Sequence, residues 1–88
     1  MTKTLILYGK PECHLCEGLQ EKLEQIQNIP FKLEIRDITT REDWFTAYQY
    51  EVPVLFAAET DSESLQPIPR PSPRATVKQL EKILQKYL

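Results

Sequence analysis

The chain has 88 residues, a formal net charge of −2 and two cysteines. Its length allows one small core, since domains of about 55–65 residues already fold alone, and one domain over residues 1–88 is expected. Lysine and arginine are spread along the chain, which gives no footprint for nucleic acid or a membrane surface, and no apolar run approaches the ~20 residues of a membrane helix. Lys3 is followed only by the short stretch Leu5-Ile6-Leu7-Tyr8. A secretory signal needs an apolar core of ~7–15 residues, so a cytoplasmic protein is expected. In that compartment a close cysteine pair is more often catalytic or metal-binding than structural.

Residues 4–8 read as a short buried strand. Gly9, Lys10, Pro11 and Glu12 make a turn, and Cys13 opens the next element. Leu15, Leu19, Leu23 and Ile26 then share one face at helical spacing, with Glu17, Gln20, Glu21 and Glu24 opposite, which predicts an amphipathic helix over 14–27. Asn28 and Pro30 stop it. Phe31, Leu33 and Ile35 alternate with charged residues, the period of a strand with one buried face. Thr39 with Glu42, or Thr40 with Asp43, offers the cap of a short helix over 40–49 whose apolar residues are Trp44, Phe45 and Tyr48.

Val52-Pro53 introduces a strand over 54–58, and residues 59–64 form an acidic loop. Leu65 to Ile68 is a further short strand, placed at a sheet edge because Pro67 cannot donate to a ladder. Residues 69–75 are proline-rich and irregular. Thr76 with Gln79 caps a last helix with Val77, Leu80, Ile83, Leu84 and Tyr87 on its apolar face. The order is strand, helix, strand, helix, strand, strand, helix. The first two strands, joined by a helix, are expected to be parallel. The last two, joined by a loop, form an antiparallel hairpin. An α/β fold with a mixed four-stranded sheet flanked by three helices accommodates these elements.

The two cysteines stand at i and i+3, directly after a strand and at a helix start. Unpaired N–H groups and the helix dipole there favour negative charge. A thiolate at Cys13 is therefore stabilised, and the thiolate is the nucleophile of disulfide exchange. Cys16 lies one turn further in, near Cys13 but less exposed. The expected cycle is attack by Cys13 on a substrate disulfide, then release of the substrate by attack of Cys16 on Cys13. Lys10 and protonated His14 favour the thiolate, Glu12 and Glu17 oppose it. The helix terminus and Lys10 are expected to win, and His14 is assigned a redox-tuning role.

Three alternatives compete. Two buried structural cysteines are one. A metal or iron–sulfur carrier using the same pair is the second, since two thiolates suffice for a soft ion. A closed zinc site needs four ligands, and the chain adds only His14, so no resident metal is expected. A non-catalytic binding module is the third, because a fold alone does not fix function. Val52-Pro53 bears on the choice. A proline there is a candidate for a cis bond, and it leaves the Val52 backbone free to pair with an extended substrate.

The segment Tyr8-Gly9-Lys10-Pro11-Glu12-Cys13-His14-Leu15-Cys16 resembles the active-site segment of glutaredoxins, and Val52-Pro53 resembles their Val-Pro. With the element order it covers nearly the whole chain and is closest to short bacterial glutaredoxin-like proteins with a Cys-His-Leu-Cys site. The resemblance implies a thioredoxin fold and a thiol–disulfide oxidoreductase serving electron transport and cell redox homeostasis. It implies Cys13 as nucleophile, Cys16 as resolving thiol, Pro53 as a substrate-facing cis-proline and Lys10 as an aid to thiolate formation and glutathione binding. It also implies no tightly bound cofactor and a monomer. Substrates are then disulfide-bearing proteins or small molecules, with glutathione or a thioredoxin-type protein as reductant.

The chain departs from the pattern in two places. Glutaredoxins carry a Gly-Gly turn and a Ser/Cys-Asp step that hold the γ-glutamyl end of glutathione. Here Gly stands only at 9 and 18, and Arg70-Pro71-Ser72-Pro73-Arg74-Ala75-Thr76 replaces that segment. Arg74 at the start of the last helix is the candidate for an anionic group of the substrate. Thioredoxins place a Trp before the first cysteine and a buried Asp on the first strand, where this chain has Glu12 and Leu7.

Overall fold

The computed structural model describes residues 3–58 and 65–88, so the acidic loop expected over 59–64 lies outside the described residues. Strand β1 (Lys3–Gly9) leads to helix α1 (His14–Glu24) and strand β2 (Phe31–Asp37). A single 3-10 turn (Ile38–Thr40) precedes helix α2 (Glu42–Tyr48). Strands β3 (Val54–Ala58) and β4 (Leu65–Ile68) and helix α3 (Val77–Leu84) complete the order. The sheet runs β2-β1-β3-β4. β1 and β2 are parallel, while β3 is antiparallel to both β1 and β4. This is the mixed sheet expected from the element order, and β4, with Pro67, is at its edge.

Alternation along β1 divides the core. Leu5 and Leu7 point to one face, where Leu55 and Ala57 of β3 join them against Leu19 and Leu23 of α1 and Leu80 and Leu84 of α3. Ile6 and Tyr8 point to the other, with Val54 and Phe56, against Ile38 and the α2 residues Trp44 and Tyr48. The Tyr8 ring lies 4.7 Å from Tyr48, 5.6 Å from Trp44 and 5.7 Å from Phe56, centroid to centroid. Its hydroxyl accepts a 2.8 Å hydrogen bond from Arg36 Nη1, which satisfies the one polar atom of a buried phenol. Burial works against charge on Arg36, but its hydrogen bonds to the Glu34 carboxylate and to Tyr8 prevail and hold its pKa above the ordinary value. The guanidinium also lies over the Trp44 ring, as does that of Arg41.

Several local expectations are corrected. Helix α1 ends at Glu24, short of 27, because Gln25 closes it with bonds to the Leu23 and Lys22 carbonyls. Ile26 still reaches the core. Neither Thr39 nor Thr40 caps α2. Asp37 accepts from the Thr39 N–H at 2.9 Å and from its hydroxyl at 2.6 Å, which builds the 3-10 turn. The cap position of α2 is Arg41, with no side-chain cap bond. Leu15 and Ile35, placed on apolar faces by their spacing, are exposed, and so is Phe45. Thr76 and Gln79 do form the expected capping box on α3.

Candidate active site

The end of β1 and the start of α1 build the site. Gly9, the last residue of β1, is buried. A Cβ placed on it would sit 3.2 Å from Cys16 Cβ and 3.4 Å from Cys16 Sγ. A side chain at position 9 would therefore press on the cysteine and push it back by a few tenths of an ångström. Glu12 then adopts φ 62°, a left-handed conformation that turns the chain into the helix.

Cys13 is the N-cap of α1, with extended backbone, and its Sγ accepts a 3.3 Å hydrogen bond from the Cys16 N–H. Its carbonyl accepts the first helical bond, from the Glu17 N–H at 3.0 Å. One of the helix's unpaired N–H donors is thus aimed at the sulfur, the arrangement a thiolate exploits. Cys13 and Cys16 are joined as a disulfide, their Cα atoms 5.3 Å apart, inside the ordinary range for such a bond. Cys13 is half-buried, whereas Cys16 is 6 % exposed and packs with Tyr8, Ile38 and Val52. The outer sulfur is the accessible one.

The remaining sequence candidates fall in different places. Val52 and Pro53 are both buried, Val52 packs in the same cluster as Cys16, and the bond between them is cis. The Val52 backbone, however, is not free as expected. Its N–H donates to the Tyr48 carbonyl at 3.1 Å, and its carbonyl accepts from Arg70 Nη2 at 3.4 Å. The helix end before it and the loop after β4 close around the residue.

The side chain of His14 is 97 % exposed, with Nδ1 3.9 Å from Glu17 Oε2. Lys10 is exposed, and its ammonium donates to the Gln49 carbonyl at 3.4 Å, beyond the end of α2, not to a sulfur. Arg74 is exposed and does not line the cavity beside Pro53.

Two cavities flank the disulfide. One, of about 160 Å³, lies against Cys16 and is lined by Gly9, Lys10, Glu17, Ile35 and Asp37 among others. The other, about 200 Å³, is a groove between α1 and the loop after β4, with Leu15, Leu19, Pro53, Arg70 and Pro71 in its walls. Lys22 holds the loop against α1 by donating to the Pro73 and Ala75 carbonyls at 2.8 and 2.6 Å. Sequence reasoning missed Gly9, Leu15 and Arg70. Only Gly9 carried a signal, a glycine at a strand end one turn from a cysteine.

Among the described residues, no group of three or more His, Cys, Asp or Glu side chains is placed to hold a metal ion, and no helix is long and apolar enough to cross a membrane. The profile of the glutaredoxin-like domain (DUF836) matches residues 4–85. Among solved structures, one described as the structure of a malarial protein superposes with a TM-score of 0.67 at 13 % identity, over 100 % of this chain and 99 % of that one. At that identity the likeness concerns the fold alone, and the mixed four-stranded sheet with its three helices is thioredoxin-like. No curated protein matches the chain.

Proposed function

The chain belongs to the glutaredoxin-like domain family, and from that premise we propose that it is a thiol–disulfide oxidoreductase working by a two-cysteine exchange. A redox role is the coarser reading that family and cysteine pair support together. The observation that carries the finer one is the helix start: Cys13 Sγ receives the Cys16 N–H, and the second sulfur sits one turn deeper within bonding reach.

In the reduced protein the Cys13 thiolate attacks one sulfur of a substrate disulfide. The substrate S–S bond breaks, a mixed disulfide forms, and the departing thiolate takes a proton from solvent. Cys16 then gives up its proton and attacks Cys13 Sγ, which releases the second substrate thiol and leaves the Cys13–Cys16 disulfide. Two electrons pass from protein to substrate. An external thiol restores the dithiol, either glutathione or a thioredoxin-type protein. The loop that replaces the Gly-Gly turn makes the choice between them an experimental one. Burial of Cys16 suits the resolving role, because an enclosed thiol meets the sulfur attached to Cys13 and few competing partners.

Turnover of a disulfide substrate with each reductant in excess tests the reading. Cys13→Ser is expected to abolish turnover. Cys16→Ser is expected to accumulate a mixed disulfide at Cys13, visible as a mass increase equal to the bound substrate half. Full activity in Cys13→Ser overturns the proposal.

A further inference from the structure

Arg70 and Lys10 each make a single long bond to a neutral backbone carbonyl, and of the two Arg70 is the one that lines the groove beside Pro53. Among the described residues no acidic side chain joins it in the groove walls. Lys22, the other strong cation there, is spent on two backbone carbonyls. Arg70 makes one long hydrogen bond, 3.4 Å, to the neutral carbonyl of Val52. Among the described residues no carboxylate pairs with it. A guanidinium presents a planar fork that matches a carboxylate with two short, charge-assisted bonds. The bond it makes here is therefore the weaker of those open to it.

The loop restrains the backbone that carries this exposed side chain. Arg70 lies between Pro69 and Pro71. Pro69 has its φ fixed, and the residue before a proline is confined to extended conformations. Pro71 is buried, and Lys22 ties the loop to α1 two and four residues further on, at Pro73 and Ala75. A backbone held this way leaves only the freedom of the side chain to be lost on binding. Arg70 also covers the backbone acceptor next to Pro53, so a substrate that lies against Pro53 meets Arg70 first.

Resting on the oxidoreductase reading above, we propose that Arg70 is a specificity residue that selects polypeptide disulfides flanked by Asp or Glu, exchanging its bond to the Val52 carbonyl for the substrate carboxylate. The exchange frees that carbonyl for a substrate N–H at the same moment. The redox step is unchanged: protein dithiol and peptide disulfide become protein disulfide and peptide dithiol.

The test uses the reduced full chain in single turnover, so no further reductant is needed. Two synthetic peptides carry one intramolecular disulfide each and differ only in the residues flanking the half-cystines, Asp in one and Lys in the other. Their rates are normalised to those with dithiothreitol, which removes intrinsic differences between the disulfides. The protein is expected to reduce the Asp peptide roughly tenfold faster than the Lys peptide, the size of one charge-assisted hydrogen bond. That ratio is expected to shrink as salt rises towards about 0.5 M. Arg70→Glu is expected to bring the ratio below one, and Arg70→Lys to keep its sign. Equal ratios in the wild type and Arg70→Glu overturn the assignment. A wild-type protein that reduces neither peptide, nor the neutral hydroxyethyl disulfide, overturns the oxidoreductase reading itself.

Discussion

On one face of the sheet Leu5, Leu7 and Leu55 meet Leu19, Leu23, Leu80 and Leu84. On the other, Ile6, Tyr8 and Phe56 meet Trp44 and Tyr48, with Arg36 and Arg41 over the rings. The buried side chains of the first face carry neither a polar atom nor a ring, so their contribution scales with the area they bury. The aromatic face is directional. Ring edges meet ring faces, the Tyr8 hydroxyl needs its donor, and Cys16 and Val52 belong to this cluster. Burial on both faces stabilises the fold, and the inner cysteine of the pair packs on the aromatic one.

Leu84→Ala breaks the aliphatic side. Leu84 is fully buried, and the truncation is expected to cost about 3 kcal/mol, read as a lower urea midpoint with disulfide exchange intact in the folded fraction. Gly9→Ala acts where the two sides meet. A methyl group 3.2 Å from Cys16 Cβ has to push back a residue held by its helix and its disulfide. A loss of about 1–2 kcal/mol is expected, with slower release of the mixed disulfide in stopped-flow measurements. Tyr8→Phe keeps the ring and removes only the acceptor of the Arg36 bond. Since Arg36 is half-exposed and can turn to water, about 1 kcal/mol is expected, again by urea denaturation.

The smallest effect is one of pH. Burial, with Tyr8 and Glu51 nearby, raises the Tyr48 pKa above its ordinary 10.0. The fold thus favours the neutral phenol. Its contribution is complete below that value and is lost as pH rises through the raised one. The stability difference between wild type and Tyr48→Phe is expected to shift against the wild type from pH 9 to about pH 11. A difference that does not change over this range contradicts the assignment. Asp43 has the opposite sense: its hydrogen bond from Arg41 lowers its pKa, so that contribution fades as pH falls below 3.8, and exposure of both side chains to solvent keeps it slight.

The alternating strands, the Thr76–Gln79 box and the edge position of Pro67 were legible in the sequence because each rests on chemistry within a few residues. Cys13 at a helix start belongs to the same class. The Thr39 and Thr40 caps failed for a local reason as well. Asp37 accepts the Thr39 N–H that Glu42 would take in a capping box, and the Thr39 and Thr40 hydroxyls both donate back to Asp37. The closure of the Val52 backbone and the position of Arg70 at the groove depend on residues 18 apart meeting through a loop, and no pattern along the chain encodes that meeting. Leu15 follows helical spacing, but its exposed side chain lines the groove between α1 and the loop after β4.

The central claim is that the helix start holds Cys13 as a reactive anion while Cys16 waits behind it. Alkylation of the reduced protein followed across pH, with each modified cysteine located by mass, tests it most directly. The account predicts that Cys13 reacts first, with a midpoint below the free-thiol value of about 8.5. A midpoint at or above that value, or earlier modification of Cys16, would contradict it.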